Sequence, residues 1–284
     1  MTAPLIAPLI GRRGAIGAIG GGLALALSST RALAAPLSAI GSPERRMRTF
    51  MLMRGALDER LVIGYLSGRY YGSVNGTLTP LFDVVAATFA RYRRAPDGGY
   101  RGASVEQSFF IDRDTGEWLQ TLVNPYTGKT VTVPTSRNPP TPINFGPGLE
   151  LEIPKLPPGL AMSHSASPFV VDGDDVRMTE VTSAGPVGKP ATYQGIVGLH
   201  ARLSEINRPG VKKVRCETSY TSVTHWPAWL DMGDRPGELI ATGQGVYGTT
   251  MAALPRPWVA AARRHRPELL ADPVKQLEPL WLKG

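Results

Sequence analysis

The amino-acid sequence predicts a mainly β protein, either an antiparallel β-barrel or a barrel-like sandwich, with a short C-terminal helical segment. Glycine and proline are abundant, at 32 and 26 of 284 residues, and most of the glycines separate short apolar runs. Many of these runs alternate with the period of a β-strand. Residues 112–116 and 124–128 are turn sequences that divide one stretch into three strands. Loops of this length join antiparallel strands, because a parallel crossover needs a dozen residues or more.

Residues 1–34 predict an export signal peptide, which is set aside before the fold is considered. Arg12 and Arg13 form its basic part, residues 16–27 are uncharged, and Ala32-Leu33-Ala34 fits an A-x-A cleavage site. The adjacent arginines favour the twin-arginine route, with an ordinary secretory signal and an uncleaved anchor as the alternatives. We therefore expect a periplasmic or secreted protein that meets the export machinery during translocation and keeps no stable membrane span after cleavage.

Cleavage would remove 34 of the 284 residues, leave 250, and lower the formal charge from +8 to +5. The remaining arginines are scattered, so we expect no nucleic-acid partner. Cys216 is the single cysteine, which excludes an intramolecular disulfide and predicts an inert buried thiol. Residues 35–48 are predicted to be an extended linker, and residues 49–284 one β-rich domain.

Strands follow in order from residue 57. Asn75-Gly76 predicts a tight hairpin, since both residues tolerate positive φ, and residues 81–92 favour a strand over a short helix. Residues 134–168 contain nine prolines and are predicted to form a long irregular segment that wraps the body. Strands resume after it, with a turn at residues 172–174. Residues 255–270 predict a helix that Pro267 divides into two short pieces.

Residues 215–226 have no purely apolar face. Polar residues alternate on both sides of this predicted strand, and Tyr220 shares one side with Trp226 while His225 lies on the other. A strand of this kind is typical of a barrel wall that faces a ligand or water, or of a sheet edge. We regard both interpretations as open on sequence grounds.

No motif in the sequence identifies a reaction. There is no nucleophile elbow, P-loop, zinc-protease or dinucleotide-binding signature, and the four histidines are far apart, so we expect no cofactor and no metal. The candidate ligand-binding residues are the aromatic Trp226, Tyr220 and Trp118 with His225. The weak catalytic candidates are His225, Tyr220 and His164, because histidine transfers protons near neutral pH.

Four segments in this order resemble the domain-of-unknown-function family 1838. They begin at residues 55, 109, 225 and 254, and the most specific parts are the Asp112–Lys129 stretch and Met232-Gly-Asp-Arg-Pro-Gly237. The resemblance covers roughly residues 48–272. It implies one domain, bacterial export and no assigned reaction. A histidine that often follows the Asn-Pro-x-Thr-Gly strand in the family is absent here, where residues 134–140 read Pro-Thr-Ser-Arg-Asn-Pro-Pro.

We expect the protein to bind a small, partly apolar or aromatic molecule inside a barrel cavity. The alternative is a cofactor-independent lyase, isomerase or hydrolase that uses the same cavity. A second alternative is a cell-envelope scaffold that binds another protein.

Overall fold

The computed structural model describes residues 40–281. The predicted signal peptide, and residues 35–39 of the predicted linker, lie outside this range. The chain forms twelve strands and five α-helices over the described residues. The strands are β1 Val62–Val74, β2 Thr77–Arg94, β3 Tyr100–Ile111, β4 Thr121–Val123, β5 Thr130–Thr132, β6 Thr141–Pro142, β7 Leu160–Ala166, β8 Val170–Asp172, β9 Asp175–Pro186, β10 Tyr193–Arg202, β11 Cys216–His225 and β12 Glu238–Thr249. The helices are α1 Pro43–Arg54, α2 Leu203–Ile206, α3 Arg256–His265, α4 Pro267–Ala271 and α5 Pro273–Trp281.

One large antiparallel sheet dominates the fold. Its strand order is β6-β3-β2-β1-β12-β11-β10-β9-β7, with β8 also paired to β9, while β4 and β5 form a separate two-stranded sheet. The prediction of a mainly antiparallel β protein with C-terminal helices is confirmed. Because β6 and β7 stand at opposite ends of the strand order and do not pair with each other, the sheet is barrel-like but not closed.

The predicted turns and strands between residues 57 and 133 are confirmed. Asn75 and Gly76 both have positive φ, 50° and 78°, and join β1 to β2 as a tight hairpin. Residues 81–92 lie in β2, as favoured over a helix. The turn after β3 is fixed by Asp112, whose carboxylate accepts hydrogen bonds from the backbone N–H groups of Asp114 and Thr115. β4 and β5 pair antiparallel across the second turn.

Three apolar clusters surround the large sheet. Trp258, Ala262 and Leu277 of the C-terminal helices pack on one face of β1–β3 and are fully buried. Phe50 and Leu52 of α1 pack at one end of the sheet with residues of β2, β9, β10 and β11. The third cluster forms at the opposite end, around Phe82, Trp226 and Leu239. Pro267 separates α3 from α4, as predicted.

Two sequence-based boundaries are wrong. Residues 43–48, assigned to the linker, form the first half of α1, where Met47 is buried. Ser42 caps this helix by accepting a hydrogen bond from the N–H of Arg45, and Pro43 starts it, so the local signals for a helix are present. Residues 160–166, assigned to the proline-rich wrap, form the edge strand β7, because no proline interrupts them.

Candidate functional site on the inner face of the sheet

Strand alternation gives the large sheet two faces. The inner face is the one that bears Tyr70, Tyr193, Tyr220 and Tyr247, as the strand registers show. The C-terminal helices cover part of the opposite, outer face, against Val85, Phe89 and neighbouring residues. The inner face therefore keeps a row of polar and aromatic side chains at the centre of the fold.

The sheet curls around this inner face. β3 and β10 are five strand spacings apart in the strand order, which would be about 24 Å in a flat sheet. Tyr100 of β3 and Leu199 of β10 nevertheless belong to one buried apolar cluster together with residues of α1. The sheet therefore curls around α1 at this end of the inner face.

Glycines permit a close approach of β1 and β12 at the middle of the inner face. Gly68 and Gly243 are directly paired across these strands. A Cβ atom placed on Gly243 would lie 2.7 Å from the carbonyl oxygen of Ser67 and 3.0 Å from the Cα of Gly68. No side chain fits there, so glycine at both positions is what permits the close approach of the two strands.

Three tyrosines surround that glycine-rich centre. The hydroxyl groups of Tyr193 and Tyr220 lie 3.2 Å apart, within hydrogen-bonding distance. Tyr70 packs on Phe82 and Phe110, with ring centroids 5.1 and 5.6 Å apart. Burial raises the pKa of all three phenols, and the negative charge of Glu106 adds to the effect. All three are therefore neutral hydrogen-bonding groups near pH 7.

Glu106 is the acidic member of this group. It accepts hydrogen bonds from the hydroxyls of Thr88 at 3.3 Å and Ser108 at 3.4 Å, both near the long limit for such a bond. It is exposed, and within residues 40–281 it forms no salt bridge. Its carboxylate is therefore available to a partner from outside the chain.

A buried ion cluster lies nearer the α1 end of the inner face. Nε of Arg54, at the last residue of α1, is 3.3 Å from Oε2 of Glu180. Nε2 of His164, on β7, is 3.1 Å from Oε1 of the same carboxylate. The three side chains are 16%, 7% and 4% exposed, respectively, so the ions interact away from bulk water.

The charges of this cluster stabilise one another. Burial opposes ionisation of Glu180, but the charge of Arg54 and the hydrogen bond from His164 outweigh it and lower the pKa of the carboxyl. Burial likewise opposes the charge of Arg54, but Tyr247 and Glu180 outweigh it and raise the pKa of the guanidinium. The guanidinium also lies over the ring of Tyr247, 4.4 Å from its centroid, in a cation–π contact.

Three buried polar atoms in or beside the cluster have no hydrogen-bond partner among the described residues. They are Nε of Arg54, Nδ1 of His164 and the hydroxyl of Tyr92. An imidazole held at one nitrogen by a carboxylate and free at the other is the arrangement that proton transfer requires. The thiol of Cys216, also on the inner face, is not part of such chemistry, because burial raises its pKa to about 12.

The structure brings some of the sequence-predicted residues together and separates others. Tyr220 and His164 both lie on the inner face, and β11 is a central strand, so the sheet-edge interpretation of residues 215–226 is wrong. His225 is exposed on the outer face, because it lies an odd number of positions from the inward-facing Tyr220 on the same strand. Trp226 packs on Tyr126 at the end of the sheet opposite α1.

Trp118 is remote from Tyr220. It packs on Phe109 and His265 beneath the C-terminal helices. Trp118, Trp226, His225 and Tyr220 therefore do not form one site. Three charged groups of the inner face, Arg54, Glu106 and Glu180, were not predicted from the sequence. Glu106 and Glu180 occupy inward positions of β3 and β9. A charged residue at an inward position of an alternating strand is the sequence signal that identifies them.

A separate groove of about 560 Å³ lies on the outer face and is open to solvent. His200 in this groove is 3.0 Å from Asp175 and 3.6 Å from Glu217, while Arg177 and Arg202 also bind Asp175. The carboxylate of Asp175, beside the groove, is thus satisfied by three partners of the same chain. Across residues 40–281, no group of three or more histidine, cysteine or acidic residues is placed to hold a metal ion. None of the helices in that range is long and apolar enough to cross a membrane.

Comparisons with known proteins place the chain in a family without an assigned activity. The chain matches the family described as "Protein of unknown function (DUF1838)" over residues 60–279 and belongs to it. No curated protein matches. Among solved structures, "Crystal structure of Neisserial surface protein A (NspA)" is similar to 67% of this chain and 97% of its own, at 6% identity. The TM-score of this likeness is 0.26.

Proposed function

We propose that this is an exported protein that binds a small, partly aromatic molecule against the inner face of its curved sheet. The observation that carries the proposal is the group of Tyr70, Tyr193 and Tyr220 around a glycine-rich centre. Aromatic walls with a few polar groups are the usual composition of small-molecule sites. The sequence features of residues 1–34 support export.

The accessibility of the tyrosines supports this proposal. All three are only half-buried, although they lie on the inner face of a large sheet. In a fully packed core, aromatic side chains at such positions are buried, as Phe82 of the same face is. This partial exposure supports the proposal that a molecule from outside binds beside the tyrosines.

Adjacent residues of β10 provide a matched test. Val197 points to the inner face beside Tyr220, whereas Ile196 points outward and is 47% exposed. We expect Val197→Trp to fill the inner space and abolish ligand binding, and Ile196→Trp to leave it unchanged. Native mass spectrometry of protein purified from its own envelope fraction, followed by denaturation, identifies any molecule released. Equal ligand occupancy in both variants would contradict the proposed location.

A second function is supported by His164. Its Nε2 is held by Glu180 and its buried Nδ1 has no partner within residues 40–281. A lyase, isomerase or hydrolase acting on the bound molecule would use this nitrogen as a general base. His164→Gln would then abolish turnover and leave ligand occupancy close to that of the unmodified protein. If the unmodified protein turns over no bound molecule and His164→Gln only lowers ligand occupancy, the function is binding alone.

A further inference from the structure

We propose that the groove on the outer face of the sheet is a further binding site, which takes a small acidic saccharide such as a hexuronic acid. The groove lies over β9, β10, β11 and β12, on the face opposite Tyr193 and Tyr220, so the inference goes beyond the binding proposed at the inner face. Its volume of about 560 Å³ is in the usual range of small-molecule sites. The proposal follows from an arginine without an ion pair that lines the same groove as a row of hydroxyl and amide groups.

The floor of the groove is formed by directly paired residues of four neighbouring strands. Gly198 of β10 pairs with Thr179 of β9 and with Ser219 of β11. Ser219 in turn pairs with Gln244 of β12. A Cβ atom placed on Gly198 would lie 2.5 Å from Oγ of Ser219, so the serine hydroxyl lies across the glycine. Hydroxyl and amide side chains both donate and accept hydrogen bonds, which suits a ligand that is rich in hydroxyl groups.

The arginines beside this floor are unequally paired. Arg177 and Arg202 both bind the carboxylate of Asp175, at 3.0 and 2.7 Å. Arg215 also lines the groove, but it is exposed and its side chain forms no ion pair or hydrogen bond within residues 40–281. An incoming carboxylate can pair with Arg215 without displacing a contact of the protein. An incoming cation would instead compete with Arg177 and Arg202 for Asp175.

Glu217 is the other carboxylate of the groove. Its Oε2 lies 3.6 Å from Nδ1 of His200, and its side chain is 66% exposed. An ionised carboxylate only accepts hydrogen bonds, so Glu217 suits a hydroxyl group of the ligand. Arg215 and Ser219 are four positions apart on one face of the chain, which is about 13 Å in an extended strand. The groove therefore has room for a ligand with a carboxylate at one end and hydroxyl groups along the rest.

Ligand chemistry is tested with three probes. Methyl glucuronide carries the sugar hydroxyls and a carboxylate, methyl glucuronamide replaces the carboxylate by a neutral amide of similar shape, and acetate is a carboxylate without the sugar. Binding to the purified protein is measured by isothermal titration calorimetry and by saturation-transfer NMR. We expect methyl glucuronide to bind about fivefold more tightly than methyl glucuronamide, the difference that one solvent-exposed charge pair provides. It should also bind more tightly than acetate, which lacks the hydroxyl contacts.

Variants locate the binding. Arg215→Gln is expected to weaken methyl glucuronide about fivefold and to leave methyl glucuronamide unchanged. Arg208→Gln removes another exposed arginine, outside the groove, and is the matched control with no expected change. Ser219→Leu covers the floor without changing the charge and is expected to weaken both sugars about tenfold, since it also removes a hydroxyl partner. Thr221→Leu lies on the same face of β11 but outside the groove, and should leave binding unchanged.

Each result decides the inference. Tighter binding of methyl glucuronide than of its amide, reduced by Arg215→Gln and Ser219→Leu and unchanged in the two controls, supports it. Acetate binding as tight as that of methyl glucuronide overturns the saccharide assignment, and equal binding of the amide overturns the acidic one. Absence of binding by methyl glucuronide, or binding that Ser219→Leu leaves unchanged, overturns the proposed site.

Discussion

Replacing only one partner of the buried ion pair between Arg54 and Glu180 is expected to lower the free energy of unfolding strongly. Glu180→Gln leaves the guanidinium of Arg54 buried at 16% exposure without its counter-ion. Removing one partner of a buried pair costs roughly 3–5 kcal/mol in the free energy of unfolding. At about 2–4 °C per kcal/mol for a domain of this size, the melting temperature should fall by roughly 6–20 °C.

Replacing both partners together is expected to lower the free energy of unfolding much less than replacing one. Arg54→Met combined with Glu180→Met removes both charges and retains most of the side-chain volume, so the double variant should recover most of the lost stability. Urea unfolding followed by circular dichroism measures the free energies, and Glu205→Gln at an exposed position should lie within about 0.5 kcal/mol of the unmodified protein. If Glu180→Gln costs less than about 1 kcal/mol, water reaches the pair and the low-dielectric argument fails.

The same carboxylate predicts the acid limb of stability. The folded-state pKa of Glu180 is lowered below its ordinary value of 4.5. The contribution of ionised Glu180 to the free energy of unfolding is therefore fully present above the ordinary pKa. It is lost as the pH falls through the lower folded-state pKa. The stability of Glu180→Gln should fall less steeply below pH 4.5 than that of the unmodified protein, in unfolding curves recorded at a series of pH values. Parallel curves would show that other carboxyls determine the acid slope.

Three further predictions concern packing, thiol chemistry and export. Gly243→Ala should destabilise the protein by about 2 kcal/mol or more, because the added Cβ meets the backbone of β1, and Ser219→Ala on the outer face should change little in the same urea unfolding measurement. Cys216 should react with a disulfide reagent only after unfolding, since its thiol is buried and its pKa is raised to about 12, and rapid labelling of native protein would contradict this. Replacing Arg12 and Arg13 together by lysine should trap the precursor in the cytoplasm, as detected by immunoblotting of cell fractions, whereas unchanged export and processing would favour an ordinary secretory signal.

Local structure follows from the sequence wherever short-range rules determine it. The hairpin at Asn75-Gly76 requires two residues that accept positive φ, and the interruption at Pro267 requires only the missing N–H of proline. The helix α1 was within reach of the same rules, because Ser42 and Pro43 form a helix start. The position of residues 35–48 directly after the signal peptide favoured a linker instead, and α1 went unpredicted.

The candidate site depends on strand register, which the sequence leaves open. His164 meets Glu180 because β7 pairs with β9 and not with β8, the strand that follows it in sequence. His225 and Tyr220 share a strand but lie five positions apart. Because five is an odd number, the two side chains are on opposite faces of the sheet. Alternation alone sorts the residues of one strand into two sets. Only the curling of the whole sheet decides which residues from different strands meet.

Glu106 and Glu180 are the same residue type on the same face, yet their surroundings give them opposite consequences. Glu180 has two partners within the fold, Arg54 and His164, so its replacement is expected to change the free energy of unfolding. Glu106 has two weak hydroxyl partners and is exposed, so its replacement should leave the free energy of unfolding almost unaltered.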